Sequence, residues 1–411
     1  MPTDICETET GCDPVKRWAY ALLFPMIPAV AVSISLFVAL SCIFIGLVLI
    51  SAARSKSKPI LKDFFFWLLL LYFSMNVLSL TQTHFWCESS RGVLKIFRQV
   101  ILCAGIAYTL DTPEKIKKLY PWFFLTAGVL VLDSIFQGGT GRDLFNDRKM
   151  TAYFGVHGRL TGPFKHANDF SAYLGVLGIL FLGVMLDGLR FLSKKIYFFY
   201  AIGFAMVLGA LLGTYSRTGW FAFLIVAFLM AALRKNKVFL GALLALVVWG
   251  ILFSPPLVQL RIRSIWDPHG GTVSERSQLW AEAIQMVKAR PLLGLGANTY
   301  AKNEPAYKSA PSDYQYAHNG YLQIAAEIGL LGLASFLAVM IYFLVVSFKV
   351  FLGRRSLEPA LQCAGISLSF AVLGFLIHSA FDTDLQSILL VNLLWMIVGF
   401  SWAVRKLAAK P

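Results

Sequence analysis

Four polar segments of the sequence contain the residues that could bind or transform a substrate. Three of these segments carry an arginine, at Arg159, Arg217 and Arg276, and the fourth carries His318. Arginine suits phosphate because its planar guanidinium group donates two parallel hydrogen bonds. A histidine side chain can accept a proton near neutral pH. These residue types predict a site that binds an anion next to a base.

The segment that begins at Arg159 is predicted to lead into a helix. Gly162-Pro163 is typical of a turn, and the Asn-Asp pair at 168–169 can cap a helix N-terminus. Free backbone N–H groups at such an end favour an anion. Arg159 is therefore a candidate anion ligand, with Lys165 and His166 as second candidates. The alternative is an interfacial turn whose cations extend to the membrane surface.

Neither Arg217 nor Arg276 is explained by its local structure. Arg217 lies in a very short connection between two apolar runs, and its alternative role is a contact with a lipid headgroup. Arg276 falls in the first turn of an amphipathic helix predicted at 274–289, where the helix dipole does not favour a cation. The alternative for Arg276 is a salt bridge to Glu275 or Glu282.

His318 opens a long apolar run, where a lone histidine is usually structural. Its predicted position near the three arginines favours a catalytic role, and Asn319 and Tyr321 are further site candidates.

A metal site is a competing interpretation. His378 and Asp382 are four residues apart on one helix face, with Asp384 beyond them. Acidic residues at the end of an apolar run are more often exposed turn residues, and only three candidate ligands are present. We therefore predict a site without a metal ion or another cofactor.

The whole chain has 411 residues, of which 57% are hydrophobic and 14% are charged. A soluble domain would be about 45–50% apolar and about 25% charged, so the composition excludes an ordinary soluble enzyme. Six cysteines without a CxxC pair predict no disulfide framework. The net charge of +15 comes largely from short basic blocks between apolar runs, which indicate topology control rather than nucleic-acid binding.

Apolar runs of about 20 residues predict an all-α membrane protein with about twelve transmembrane helices. The first apolar region, 18–53, is too long for one span, and Pro25 and Pro28 interrupt it, so we predict two short helices or one broken helix. The later spans are predicted at 62–81, 91–110, 119–137, 169–187, 195–213, 217–233, 237–254, 320–348, 357–380 and 385–404.

The distribution of basic residues predicts the orientation of these spans. Alternate connections and the C-terminal tail hold nineteen Lys and Arg residues, whereas the opposite short connections hold none. Both termini are therefore predicted inside, with two long outer loops at 138–168 and 255–319. Both outer loops are basic, which an anionic substrate would explain. We treat residues 1–411 as one polytopic membrane domain.

Together, the four segments resemble the O-antigen ligase and polymerase superfamily. The resemblance covers most of the chain and depends on Arg159 with Gly162-Pro163 and Asn168, Ser216-Arg217-Thr218-Gly219, Arg276 with Trp280 and the 291–296 motif, and His318-Asn319. It implies a GT-C-like fold in the bacterial inner membrane, with the site facing the periplasm and both termini in the cytoplasm.

The resemblance also implies an activity. An O-antigen ligase transfers a glycan from undecaprenyl diphosphate to a sugar hydroxyl of lipid A core, without a metal and with inversion. On this sequence, Arg159, Arg217 and Arg276 resemble the diphosphate-binding arginines, and His318 resembles the base or the residue that aligns the acceptor. The implied partners are the lipid-linked glycan, lipid A core and membrane lipids, and no nucleic acid.

Three alternatives remain at this point. A polymerase of the same superfamily shares the donor chemistry, and a protein-glycosylating ligase usually has a larger C-terminal outer region. A lipid or solute transporter belongs to a different class and would place charges along a path in mid-membrane. Asp133 and the stretch 91–98 are the charges within apolar runs, and Asp133 needs a partner, for which Arg159 and Arg217 are candidates.

Overall fold

The computed structural model describes residues 13–56, 59–153, 157–254, 256, 258–259, 271–309, 315–353 and 357–409. The helices used below are α1 (Pro14–Val32), α2 (Ile34–Arg54), α3 (Phe64–Ser79), α4 (Trp86–Thr109), α5 (Pro113–Leu119), α6 (Pro121–Thr140), α7 (Ala167–Asp187), α8 (Lys194–Gly213), α9 (Arg217–Leu233), α10 (Lys237–Phe253), α11 (Gly271–Ala289), α12 (Tyr300–Asn303), α13 (Gly320–Gly353), α14 (Pro359–Ser379) and α15 (Ile388–Ala408). A short antiparallel hairpin of β1 (Thr151–Tyr153) and β2 (His157–Arg159) lies in the first predicted outer loop.

The structure confirms the all-α membrane fold. Within the described residues, ten helices are long and apolar enough to cross a membrane, and the apolar helices α9 and α10 are shorter, at 17 residues each. A helix of that length extends for about 26 Å, which is at the lower limit for a bilayer span.

The first apolar region forms two helices, which is one of the two arrangements that the sequence predicted. The position of the break was wrong, because Pro25 and Pro28 lie inside α1. The chain turns instead at Ser33, which is extended and whose side chain accepts a hydrogen bond from the backbone N–H of Leu36 at 3.3 Å. Proline is tolerated within membrane helices because neighbouring groups can satisfy the freed carbonyls.

The centre of the bundle consists of α7, α14 and α15, most of whose residues are buried, whereas only a minority of the residues in α2, α3 and α8 are buried. Helix α7 packs against both α14 and α9, and α14 packs against α15. The polar N-terminus of α7 therefore lies next to the connection between α14 and α15, a loop that spans residues 380–387.

Helix α13 is broken at Gly329, whose φ of +74° leaves neighbouring carbonyl and N–H groups without helical partners. Segment 291–296 satisfies them: Leu295 and Gly296 donate to the carbonyls of Ala326 and Glu327 at 3.0 and 2.8 Å. Irregular backbone at membrane depth is tolerated only where protein groups satisfy it. The glycine-rich motif therefore has a packing role.

That backbone contact leaves no room for side chains. A Cβ atom at Gly329 would lie 2.1 Å from the carbonyl oxygen of Leu292, and one at Gly294 would lie 2.4 Å from the carbonyl group of Glu327. Gly294 also has a positive φ, of +70°. Glycine is therefore required at both positions.

The amphipathic helix predicted at 274–289 is present as α11 and begins three residues earlier, at Gly271. Leu279 and Ala283, from its predicted apolar stripe, are buried. Ala283 and Met286 belong to a small hydrophobic cluster with Tyr300 and residues at the start of α13. This packing holds the N-terminal half of α11, which carries Arg276, close to the N-terminus of α13. Because the helix begins at Gly271, Arg276 lies in its second turn, and the prediction of a first-turn position was wrong.

Candidate functional site

Asp382, in the 380–387 loop, receives contacts from three distant parts of the chain. Its Oδ1 lies 3.1 Å from Nδ1 of His318, and its Oδ2 accepts a hydrogen bond from Nδ2 of Asn168 at 2.6 Å. Nη2 of Arg276 lies 3.8 Å from the same Oδ2. Asp382 is almost completely buried. The buried carboxylate thus joins α7, α11 and the start of α13.

Arg159 is fixed by two hydrogen bonds to the same region. Its Nε donates to the carbonyl oxygen of Thr214 at 2.8 Å, and its Nη2 donates to Oδ1 of Asn168 at 2.7 Å. Asn168 therefore bridges Arg159 and Asp382 through the two ends of its amide. The prediction that Asn168 or Asp169 caps the helix was wrong, because α7 begins at Ala167 and both residues lie inside its first turn. The sequence gave no signal for the bridge that Asn168 forms.

Arg217 is the first residue of α9, three residues after the carbonyl that binds Arg159. Ser216 caps the helix by accepting a hydrogen bond from the backbone N–H of Gly219 at 3.3 Å. A Cβ at Gly219 would lie 2.6 Å from Oγ of Ser171, so the N-termini of α9 and α7 pack directly together. The packing places the backbone of Arg217 at the same end of the bundle as Arg159.

His318 has a strained backbone, with a φ of +45°. Non-glycine residues adopt this conformation rarely, and such strain is concentrated at functional sites. Because Nδ1 faces a carboxylate, the neutral ring keeps its proton on Nδ1 and its lone pair on Nε2. The imidazole is therefore oriented to accept a proton at Nε2.

The groups around Asp382 lower the pKa of its carboxyl group. Burial alone would raise the pKa of this carboxyl group, but the hydrogen bond and charge of His318, together with His378 and Arg276, hold it below its ordinary value. Asp382 is therefore a carboxylate at neutral pH. An ionised Asp382 is what the hydrogen bond to Nδ1 of His318 requires.

His378 and Asp384 form a second histidine–carboxylate pair, and both side chains are buried. Nδ1 of His378 is 2.7 Å from Oδ2 of Asp384, which also accepts a hydrogen bond from Ser379 at 3.0 Å. Burial and the neighbouring charge of Asp382 raise the pKa of Asp384 despite the opposing effect of His378. Nε2 of His378 lies 3.3 Å from Oγ of Ser171.

This arrangement divides the three residues considered as metal ligands. His378 pairs with Asp384, whereas Asp382 contacts His318 and Asn168. Among the residues that the structure describes, no group of three or more His, Cys, Asp or Glu side chains is arranged to hold a metal ion. The side chain contacts of Asp382 instead suggest an orienting role, which the sequence analysis missed.

The second candidates fall into two groups. His166 precedes α7, and its side chain is accessible to solvent. Desolvation by the surrounding protein and the charge of Lys165 lower its pKa, although Asp382 has the opposite effect. Lys165 and His166 therefore remain candidates at the mouth of the site.

Asn319 and Tyr321 have structural contacts. Oδ1 of Asn319 accepts hydrogen bonds from the backbone N–H groups of Tyr321 and Leu322, both at 3.0 Å, and so caps α13. The hydroxyl of Tyr321 donates to the carbonyl oxygen of Leu376 at 2.7 Å. Both contacts fix the start of α13, next to His318.

Asp133 has a backbone partner, whereas the sequence analysis considered the side chains of Arg159 and Arg217. Oδ1 of Asp133 accepts a hydrogen bond from the backbone N–H of Leu144 at 2.7 Å. Asp133 thus ties the end of α6 to the turn that follows it. Three basic residues of the second predicted outer loop, Arg261, Arg263 and His269, lie outside the described residues, as does the side chain of His157.

One segment of the chain is similar to a known protein family. Residues 202–337 match the model of a family described as O-antigen ligase. The predicted resemblance to the O-antigen ligase and polymerase superfamily is confirmed. The matched segment includes Arg217, Arg276 and His318, whereas Arg159 and Asp382 lie outside it. No curated protein matches the chain significantly.

Members of this family are glycosyltransferase-like enzymes of lipopolysaccharide synthesis. The family implies lipid-linked glycan substrates and contact with membrane lipids. The family match and the membrane-spanning helices together support a multi-pass membrane protein with an activity of the O-antigen ligase and polymerase family.

Proposed function

We propose that the protein is an O-antigen ligase, which transfers a glycan from undecaprenyl diphosphate to a sugar hydroxyl of lipid A core. One observation carries this proposal: His318 is paired with Asp382, and the same carboxylate lies near Arg276 and is linked to Arg159 through Asn168. We place this site at the periplasmic face of the bacterial inner membrane, with both termini in the cytoplasm, because the basic connections lie at the other ends of the helices.

The arginines are proposed to bind the diphosphate of the donor. Negative charge develops on this leaving group, and preorganised guanidinium groups stabilise it without a metal ion. Arg159 is preorganised by its bonds to Thr214 and Asn168. Arg217 adds a charge at a helix N-terminus, which already favours an anion.

Arg276 is the arginine best placed to connect donor and base. Its 3.8 Å distance from Asp382 leaves this ion pair loose, so that a phosphate can compete for the guanidinium group. The three arginines belong to β2, α9 and α11, and we propose that one diphosphate contacts all three.

His318 is proposed to activate the acceptor. The acceptor hydroxyl gives its proton to Nε2 of His318 as its oxygen bonds to the anomeric carbon. The bond from that carbon to the diphosphate oxygen breaks, and undecaprenyl diphosphate leaves with the bonding electrons. Asp382 stabilises the positive charge that forms on the imidazole. One displacement of this kind inverts the anomeric centre.

A polymerase of the same superfamily is the nearest alternative, because it uses the same donor and differs in the acceptor. The two are distinguished by purified protein in nanodiscs with an undecaprenyl-diphosphate-linked glycan and lipid A core. Glycan on lipid A core, formed by wild type but not by His318→Ala, is the expected result. Longer glycan on the undecaprenyl carrier would identify a polymerase, and an unconsumed donor would favour the transporter class.

A further inference from the structure

Glu327 is a buried acid beside the break in α13, and its carboxylate holds two loops at once. Oε2 accepts the backbone N–H of Asn298 at 2.9 Å and Nε2 of Gln386 at 3.3 Å. Oε1 accepts the backbone N–H of Tyr300 at 3.2 Å. Asn298 and Tyr300 belong to the segment that follows α11, whereas Gln386 belongs to the loop that carries Asp382. One carboxylate therefore fixes the distance between these two segments.

Lys95 of α4 also contacts Gln386. Its Nζ donates to the carbonyl oxygen of Gln386 at 3.2 Å. Lys95, Glu327 and Gln386 line one cavity between α3, α4, α13 and α15, together with Asn76 and Asn298. An acid and a base within apolar helices are costly, and such residues usually serve a function.

A short chain of contacts leads from this network to the base. The backbone N–H of Gln386 donates to the carbonyl of Thr383 at 2.9 Å, and that of Thr383 donates to Oδ1 of Asp382, also at 2.9 Å. The same Oδ1 faces His318. On the other side, the segment held by Glu327 follows α11, which carries Arg276. A shift of Gln386 would therefore displace Asp382 from its partners.

We propose that Glu327 is a positioning residue for glycan transfer. It aligns the His318–Asp382 pair with Arg276 by holding the 291–300 segment and the 380–387 loop at a fixed separation. Glu327 contacts neither donor nor acceptor in this mechanism. The expected effect on turnover rests on the proposed function, whereas the expected effect on the loops does not.

Kinetics of a double-mutant cycle test the coupling. Glu327→Gln and Gln386→Leu should each lower kcat about tenfold, with KM for the donor changed by less than about twofold, because alignment rather than binding is lost. The double variant should be no slower than Glu327→Gln alone, since both changes remove one contact. A kcat lowered by the product of the two single effects would overturn the proposal.

Glu304→Gln is the matched control. Glu304 is also a buried acid, but it lies in the second outer loop, and its ion pair is with Lys308 and not with the 380–387 loop. The control variant should keep kcat within about twofold of wild type. An equal loss of kcat in both variants would mean that neutralising either buried acid has the same effect, which would contradict a specific positioning role.

Amide hydrogen exchange provides a readout that does not depend on activity. In nanodiscs, Glu327→Gln should exchange faster than wild type in peptides that cover 291–300 and 380–387, whereas Glu304→Gln should leave 380–387 unchanged. Unchanged exchange of 380–387 in Glu327→Gln would overturn the proposal even if this variant transfers glycan more slowly than wild type. A wild type that transfers no glycan would refute the proposed function, and the exchange comparison would still decide the role of Glu327.

Discussion

Asp382 explains at the level of single residues why His318, among the histidine side chains that the structure describes, suits the base role that we propose. His318 combines a strained backbone with an Nδ1–carboxylate contact that orients Nε2. His378 has a similar carboxylate partner but is buried, and its Nε2 faces Ser171. Exposure to substrate, rather than the presence of a carboxylate, therefore distinguishes the two histidines.

His318→Ala should lower transfer by at least about 100-fold while the protein stays folded, because only the base is lost. Asp382→Asn should also lower it by about 100-fold or more, because the imidazole loses its orientation and its counter-charge. Glycan transfer to lipid A core and thermal unfolding measure the two effects. His84→Ala, at an exposed histidine, is the control, and normal turnover by His318→Ala would end the base assignment.

Arg217→Lys should lower transfer about tenfold or more although the charge is retained, because lysine cannot donate two parallel hydrogen bonds to a phosphate. Arg142→Lys is the matched control, since Arg142 is exposed and pairs with Asp147. Initial rates at several donor concentrations give the comparison. Equal rates for Arg217→Lys and wild type would indicate a role in topology only.

At the level of elements, backbone hydrogen bonds between segment 291–296 and the broken helix α13 join the second outer loop to a membrane-spanning helix. Gly329→Ala should lower the free energy of unfolding by about 1–3 kcal/mol from the backbone conformation alone, and the close Leu292 carbonyl adds to this loss. Thermal unfolding in detergent is the measurement. Gly128→Ala in α6, which has open space around it, should be neutral or slightly stabilising, and equal melting temperatures for both variants would contradict the packing role.

At the level of the whole molecule, the polar groups collect where α7, α9, α11, α13 and the 380–387 loop meet. Transfer should survive a chelator, because fixed guanidinium groups are proposed to replace a divalent cation. Activity with and without EDTA measures this. Loss with EDTA and recovery with added Mg²⁺ or Mn²⁺ would instead assign the inner cluster of His378, Asp382 and Asp384 to a metal ion.

The sequence by itself determined the apolar helices, the three arginines and His318 as candidates. Each of these depends on local information: a run of apolar residues long enough to span a bilayer, or a residue type in an unusual local position. Helix α9 begins and ends where the hydropathy pattern predicts. The length of the 18–53 region alone excluded a single span, although the break between its two helices occurs at a capping serine rather than at a proline.

Only the tertiary structure decided the bridging role of Asn168, the orienting contact of Asp382 and the two-loop contact of Glu327. Asn168 and Asp382 are 214 positions apart, and Glu327 and Gln386 are 59 apart. Contacts of this kind arise from the packing of helices against one another, and helical periodicity shows which face is buried but not which partner covers it. The chemistry of each residue was therefore predictable from its type, whereas its assembly into one site depended on the fold.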